Sequence, residues 1–388
     1  METSNFKEEF EKILMSEIIP LKRGEPTSPE ASGLFSKLHD LVAKNIPSKL
    51  YRYRNCQEYN LDSFRDDEVY AGNPRNFNDP FDSLVCYNKE EILKNYEEVL
   101  NKNWFLYTLS KINSLVEEDM RKKYPGDPKI DKIAKEMQCF NFWKGEEDEV
   151  ADQILREAYY EGTTYGDKGI YSDKINEYLE FIGDLLDQSV ESVKESCKIA
   201  CFTERKDNML MWSHYADRHS GFVLEYDIKQ VVFLTSDTQP GSHPAILFPV
   251  IYSDKRLDAT HIGKSLMDDF LISLKGENNS SIALPDVFIY LKVFLNKAKC
   301  WGYENEWRLI CPGSYEKESV KVMMKPTAIY YGNNISSADK AKLSLLAKEK
   351  NIAEYQMAVE YYNSEYKVSV LKVFVRWVTL LCYSFCSF

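Results

Sequence analysis

Metal-ligand spacings are missing from this sequence. The nine cysteines (Cys56, Cys86, Cys139, Cys197, Cys201, Cys300, Cys311, Cys382, Cys386) form no CxxC pair, and there is no HExxH among only five histidines. The two x3 cysteine spacings have no histidine at zinc-site distance, so no metal is expected. Repeats, low-complexity tracts and an export-like N-terminus are missing as well: METSNFKEEFEKILMSEIIP is charged and amphipathic. With an odd cysteine count, that points to a cytoplasmic chain with free thiols. Positive charge is short, at 49 Lys and Arg against 61 Asp and Glu for a net −12. Such a balance argues against a surface coated for duplex DNA. The apolar end of the chain, residues 373–388 (VFVRWVTLLCYSFCSF), is interrupted by Arg376. It falls below the ~20 residues a spanning helix needs, so a buried terminal element is expected, with membrane contact by the tail the lesser alternative.

What is there is an ordinary globular composition, 44% hydrophobic and 28% charged, with 26 Tyr and 20 Phe. Periodicity predicts two helices over residues 1–48, divided by the loop RGEPTSP, with Phe6, Phe10, Ile13 and Leu14 on one helical face. Strand patterns begin at Lys49 and Glu68 and resume at Ile199, Phe222, Ala245, Trp307, Thr327 and Tyr355. Between them, residues 89–195 read as one long helical insertion. Helices are also expected over 263–274, 286–297 and 337–350. The prediction is an α+β fold with a central, mostly antiparallel sheet, built as a single domain over 49–372 with the insertion inside it.

Four segments concentrate chemistry. Tyr51-Arg52-Tyr53-Arg54 alternates, so both arginines face one way and both tyrosines the other. Taken alone it reads as an exposed cationic strand edge, which discourages sheet-to-sheet association. Its functional reading is an anion clamp. In Phe77-Asn78-Asp79-Pro80-Phe81-Asp82, Pro80 forces an extended Asp79, and two phenylalanines are expected to anchor the turn. The loop is as well suited to structure as to presenting Asp79 or Asp82 to a ligand. From Cys201 to Asp227 lie Trp212, His214, Tyr215, Arg218 and His219. If this connection is helical, Met211, His214 and Tyr215 share a face, whereas His214 and His219 are badly spaced for joint metal ligation. Gly221 then permits a tight turn into FVLEY. Last, Glu304 and Glu306 stand two apart at a strand start among Trp301, Tyr303 and Trp307, which would set both carboxylates on one face. One of the two is expected to have a raised pKa.

Taken together, YRYR, FNDPFD, the run from CFTE to VLEYD and ENEWR resemble an uncharacterised bacterial family, domain of unknown function 2971, over roughly residues 48 to 312. That family brings no established reaction. ENEWRLICPG is in addition similar to the strand of mono-ADP-ribosyltransferases that carries two glutamates two apart and runs on to Pro-Gly. This resemblance implies NAD as co-substrate, held by an arginine of an early strand, here Arg52 or Arg54. It assigns Glu306 to the nicotinamide ribose and the oxocarbenium-like transition state, and Glu304 to orienting or deprotonating the acceptor. His214 and Tyr215 would hydrogen-bond or stack on NAD. The sequence departs from that pattern in lacking a Ser-Thr-Ser strand and in a strand one residue longer after Glu306.

The expected activity is therefore that of an ADP-ribosyltransferase-like toxin or phage-defence effector, with a protein or nucleic-acid acceptor. Two other readings stay open. One is a non-catalytic sensing or protein-interaction module whose aromatic and arginine pocket takes a small molecule or nucleotide. The other is a nuclease using Asp79, Asp82, Glu304 and Glu306 around a divalent ion, with Arg52 and Arg54 on phosphate. All four segments are expected to meet in one pocket, with Asn78, Asp79, Trp212, His214 and Tyr215 on its binding side. Glu306→Gln is expected to keep the fold while removing a charge the reaction needs.

Overall fold

The computed structural model describes residues 2–16, 18–20, 28–92, 197–228, 246–265, 286–312 and 318–373 (361, 363 and 365 excepted), with a few isolated positions between 94 and 195. Nearly all of the expected insertion at 89–195, and the tail after residue 373, lie outside the described residues.

Two helices open the chain, α1 (Glu2–Met15) and α2 (Pro29–Asn45). Ser28 caps α2 by accepting from the Ala31 amide, and Pro29 takes the first position, where a missing N–H costs nothing. Strand β1 (Lys49–Arg54) leads through α3 (Glu58–Arg65) to β2 (Glu68–Gly72). After the gap come β3 (Cys197–Thr203), the short helix α4 (Met209–Tyr215) and β4 (Phe222–Asp227). Next are β5 (Ile246–Pro249), β6 (Ile251–Ser253), α5 (Ile289–Leu295) and β7 (Asn296–Ala298). The described chain closes with β8 (Glu306–Pro312), β9 (Ser319–Met323), β10 (Ala328–Tyr331), α6 (Ser337–Glu349), β11 (Ala353–Val359) and β12 (Val368–Lys372). The fold is α+β. Helix α3 and strand β9 escaped the sequence reading, and the final strand-like run is two strands rather than one.

Ten strands form one sheet in the order β12-β11-β10-β4-β1-β3-β2-β9, with β8 joined to β3 and β5 to β8. Only the β10–β11 pairing in it is parallel. Its unusual feature is a fork. Strand β8 pairs with β3 along the whole of one edge, from Cys197↔Pro312 to Thr203↔Glu306. A strand has two edges, so β1 and β2 must divide the other: β1 meets it at Tyr51↔Thr203 and β2 at Gly72↔Ile199. Cys201 lies midway between those two contacts. The strands diverge around it, and the site described below occupies the opening.

The main core gathers Phe10, Leu14, Leu38, Phe64, Phe222, Phe248, Phe294, Trp307 and Leu343. Helix α1 is part of it rather than an appendage: Phe6 stacks on Trp307, and Phe10 meets Phe248. A second cluster under α4 joins Tyr51, Tyr53, Met211, Trp212, Val223 and Tyr330. Between α4 and β4, Asp217, Arg218 and His219 are all left-handed, with φ of 46°, 55° and 67°. The turn they make brings Gly221 against β1, where a Cβ would sit 2.1 Å from the Arg54 carbonyl oxygen. Gly221→Ala should therefore push the turn off β1. A loss of about 1–3 kcal/mol, typical of overpacking, is expected in urea denaturation, and an unchanged midpoint would contradict it.

Candidate functional site

Strand alternation sends Tyr51 and Tyr53 into the α4 cluster and Arg52 and Arg54 to the opposite side. The reading of this strand as an exposed cationic edge is wrong, because β1 lies inside the sheet between β4 and β3. Arg52 is only 7% exposed. Its Nη2 donates to the Tyr70 carbonyl of β2 at 3.1 Å, reaching across the fork, and its guanidinium lies 5.3 Å from the Phe202 ring centre. Its Nε is buried and has no partner. Arg54 donates to its neighbour's Tyr53 carbonyl at 2.9 Å. No carboxylate among the described residues stands against either arginine. Burial, with Arg54 alongside, pushes Arg52 down to about 9, and burial likewise lowers Arg54. A guanidinium does not give up its proton near neutrality, so two adjacent cations are held desolvated without a counter-ion.

Across the opening lies the opposite arrangement. Arg308 is fully buried and makes a two-pronged ion pair with Asp82, at 2.8 and 2.5 Å. It also donates through Nε to Glu306 Oε1 at 2.9 Å, through Nη2 to Oε2 at 3.2 Å, and to the Phe294 carbonyl at 2.7 Å. Lys297 donates to Glu306 Oε2 at 2.9 Å and to Glu304 Oε2 at 2.6 Å, with Asp82 Oδ2 at 3.7 Å. Burial alone would raise Glu306, but the Arg308 and Lys297 charges outweigh it and hold the carboxyl at about 2. Glu304 goes the other way: burial, helped by Glu306, raises it despite Lys297.

Glu304 reaches this group by a route the sequence did not reveal. It ends the 3-10 turn Lys299–Glu304, and left-handed Asn305 (φ 45°, ψ 53°) then swings the chain into β8. The two glutamates therefore meet through a backbone reversal and a shared lysine rather than through strand alternation. Thr203 fixes the turn by donating to the Glu304 carbonyl at 2.5 Å.

Helix α4 brings the remaining polar groups. Asn208 caps it, accepting from the Leu210 and Met211 amides, and donates to the Tyr303 carbonyl at 2.9 Å. Tyr215, at the last turn, donates to Glu304 Oε1 at 2.6 Å and lies 3.2 Å from Asn78 Nδ2 and 3.4 Å from Asn78 Oδ1. The loop 77–82 is thereby tied to α4 through Asn78 and to β8 through Asp82. Phe77 reinforces the second tie, its ring centre 5.2 Å from the Arg308 guanidinium.

These groups enclose a cavity of about 530 Å³, within the range of ligand pockets. Arg52, Arg54, Asn78, His214, Tyr215, Glu304 and Glu306 all line it, as expected. Trp212 and Asp79 are not among the lining residues. The indole meets Tyr53 edge-on and donates to the Lys206 carbonyl at 2.9 Å, behind the wall. Asp79 holds its turn by accepting from the Phe81 amide, with Oδ2 buried and unpartnered. Phe81, read as a core anchor, is 58% exposed. Lys297, Cys201, Tyr59 and Asn60 line the cavity without having been singled out in the sequence. Lys297 carried no signal, being one lysine just beyond an apolar helix. Among the described residues no group of three or more His, Cys, Asp or Glu could hold a metal ion, and no helix is long and apolar enough to cross a membrane.

Residues 211–309 match a family described as a protein of unknown function, DUF2971. Over this segment the chain is similar to DUF2971. The DUF2971 segment runs from α4 to β8 and supplies Tyr215, Lys297, Glu304, Glu306 and Arg308, while Arg52, Arg54 and Asp82 come from outside it. No curated protein and no solved structure matches the chain.

Proposed function

We propose that the cavity binds an anionic nucleotide, with NAD the first candidate, and that group transfer from it runs through Glu304 rather than Glu306. The observation that carries this reading is a pair of arginines without a counter-ion, Arg52 buried with a free Nε and Arg54 half-buried, opening into a cavity with aromatic walls. A phosphate or diphosphate would complete both guanidiniums, which suit such oxygens by their forked geometry. Glu306 is poorly placed to act on a ligand, since both its oxygens are already held by Arg308 and Lys297. Glu304 has a weaker hold on its charge, a raised pKa and a place on the cavity wall. A base poised nearer neutrality is the more effective one.

In this reading the bond between nicotinamide nitrogen and ribose carbon breaks, and nicotinamide leaves with the bonding pair. The acceptor's oxygen or nitrogen bonds to the ribose carbon, and its proton passes to Glu304. Purified protein incubated with labelled NAD and candidate acceptors should release nicotinamide. Glu304→Gln should slow release by about 10²- to 10³-fold. Turnover that Glu304→Gln leaves intact would remove this residue from the mechanism, and no turnover with any acceptor would remove the reaction.

A second reading, binding without turnover, has its own support. Both oxygens of Glu304 as well as of Glu306 are already hydrogen-bonded, so no carboxylate stands idle. Tight NAD or ADP-ribose binding in calorimetry, with no nicotinamide released, would favour it.

A further inference from the structure

Three carboxylates, Asp82, Glu304 and Glu306, share two cations, Lys297 and Arg308. With all of them ionised, the group carries one uncompensated negative charge in a place nearly closed to water. Uncompensated buried charge is expensive, and the usual relief is for one member to take a proton. The hydrogen bonds show which member can. Asp82 has both oxygens on Arg308, and Glu306 has Arg308 on each oxygen and Lys297 on one of them. Glu304 has one ammonium and one neutral hydroxyl, that of Tyr215.

That hydroxyl sits between Glu304 and an amide that can face it in two ways. When Glu304 is ionised, Asn78 Nδ2 donates to Tyr215, and Tyr215 donates to Glu304. When Glu304 is protonated, Glu304 donates to Tyr215, and Tyr215 turns its hydrogen to Asn78 Oδ1. Both amide atoms are within reach, at 3.2 and 3.4 Å.

We infer that Glu304 is the carboxyl of this group that takes and releases a proton, and that Tyr215 and Asn78 form a positioning chain that reverses its direction as it does so. The chain leaves no buried donor or acceptor stranded in either state, the condition for a proton to come and go cheaply. The other titratable groups facing Glu304 fit this assignment. Glu306 and burial raise it and Lys297 lowers it, while Tyr252 and Tyr303 are phenols. Tyr215 is itself raised by burial and then by Glu304, so it stays a neutral hydroxyl. The inference deepens the reading of Glu304 as the acting base and rests on it only for that role.

The test is a carboxyl-carbon NMR titration of glutamate-labelled protein. Wild type should show one glutamate titrating above the ordinary range, and that signal should vanish in Glu304→Gln. In Tyr215→Phe its midpoint should move further up, because the lost hydrogen bond favours the charged form more strongly than the neutral one. Near-UV circular dichroism would verify that each variant is folded. A vanishing signal that titrated in the ordinary range or below, or a midpoint that Tyr215→Phe leaves in place, would overturn the inference. Intact titration with no NAD turnover would instead sink the transfer reading and leave this one standing.

Discussion

Glu306→Gln is expected to lower the unfolding free energy by about 1.5–3 kcal/mol, the usual worth of a hydrogen bond to a charged group. The amide keeps the shape of the side chain but leaves Arg308 to Asp82, and Lys297 to Glu304 with Asp82 3.7 Å away, in a nearly dry setting. The sequence-based expectation that this variant keeps its fold is narrowed by what the carboxylate touches: the protein should fold, with a smaller margin. Urea denaturation of the two proteins gives the difference directly. The same residue sets an acid limit. Its folded-state pKa is near 2 against an ordinary 4.5, so the stability it contributes is present above about 4.5 and is lost as pH falls toward 2. Wild type should weaken across that interval more steeply than Glu306→Gln. Parallel pH curves would mean that Glu306 contributes no linked stability.

Arg52→Met should do the opposite to the fold and the worst to the ligand. In the empty protein Arg52 is a desolvated cation beside another, with no counter-ion. Methionine fills similar space without charge and gives up one hydrogen bond to the Tyr70 carbonyl, worth roughly 0.5–1.5 kcal/mol. The relief of the buried charge is expected to outweigh that loss, so apparent stability should stay level or rise. Affinity for NAD, ADP-ribose or inorganic pyrophosphate should drop by about 30- to 5,000-fold, since a desolvated charge contact usually carries 2–5 kcal/mol. Calorimetry beside thermal denaturation checks both halves. A destabilised variant with unchanged anion affinity would assign Arg52 to holding the fork together instead.

The parts legible in the sequence were those governed by local periodicity. Strand alternation correctly set Arg52 and Arg54 on one side and the tyrosines on the other, and helical spacing put Met211, His214 and Tyr215 on one face of α4. What stayed hidden depends on which strands become neighbours. Nothing within YRYR tells a central strand from an edge, so buried Arg52 and half-buried Arg54 read as a solvated pair. Nothing in ENEWR reveals that Asn305 turns left-handed or that Lys297, seven residues before Glu304, reaches back to both glutamates. The cluster of Asp82 with Arg308 spans 226 positions, beyond any pattern that a local window contains.

The fork gives ligand binding a mechanical consequence. Strands β1 and β2 share an edge of β3 without pairing with each other, and Arg52 is the one side chain shown joining them across the gap. An anion seated on Arg52 and Arg54 would act as a missing rung, splicing two halves of the sheet that otherwise meet only through β3. Occupancy would then register as stiffness far from the ligand, in amides of β4 and β9 that exchange more slowly once the splice is made. A sheet built this way reports its cargo along its own length, with no lid or hinge required.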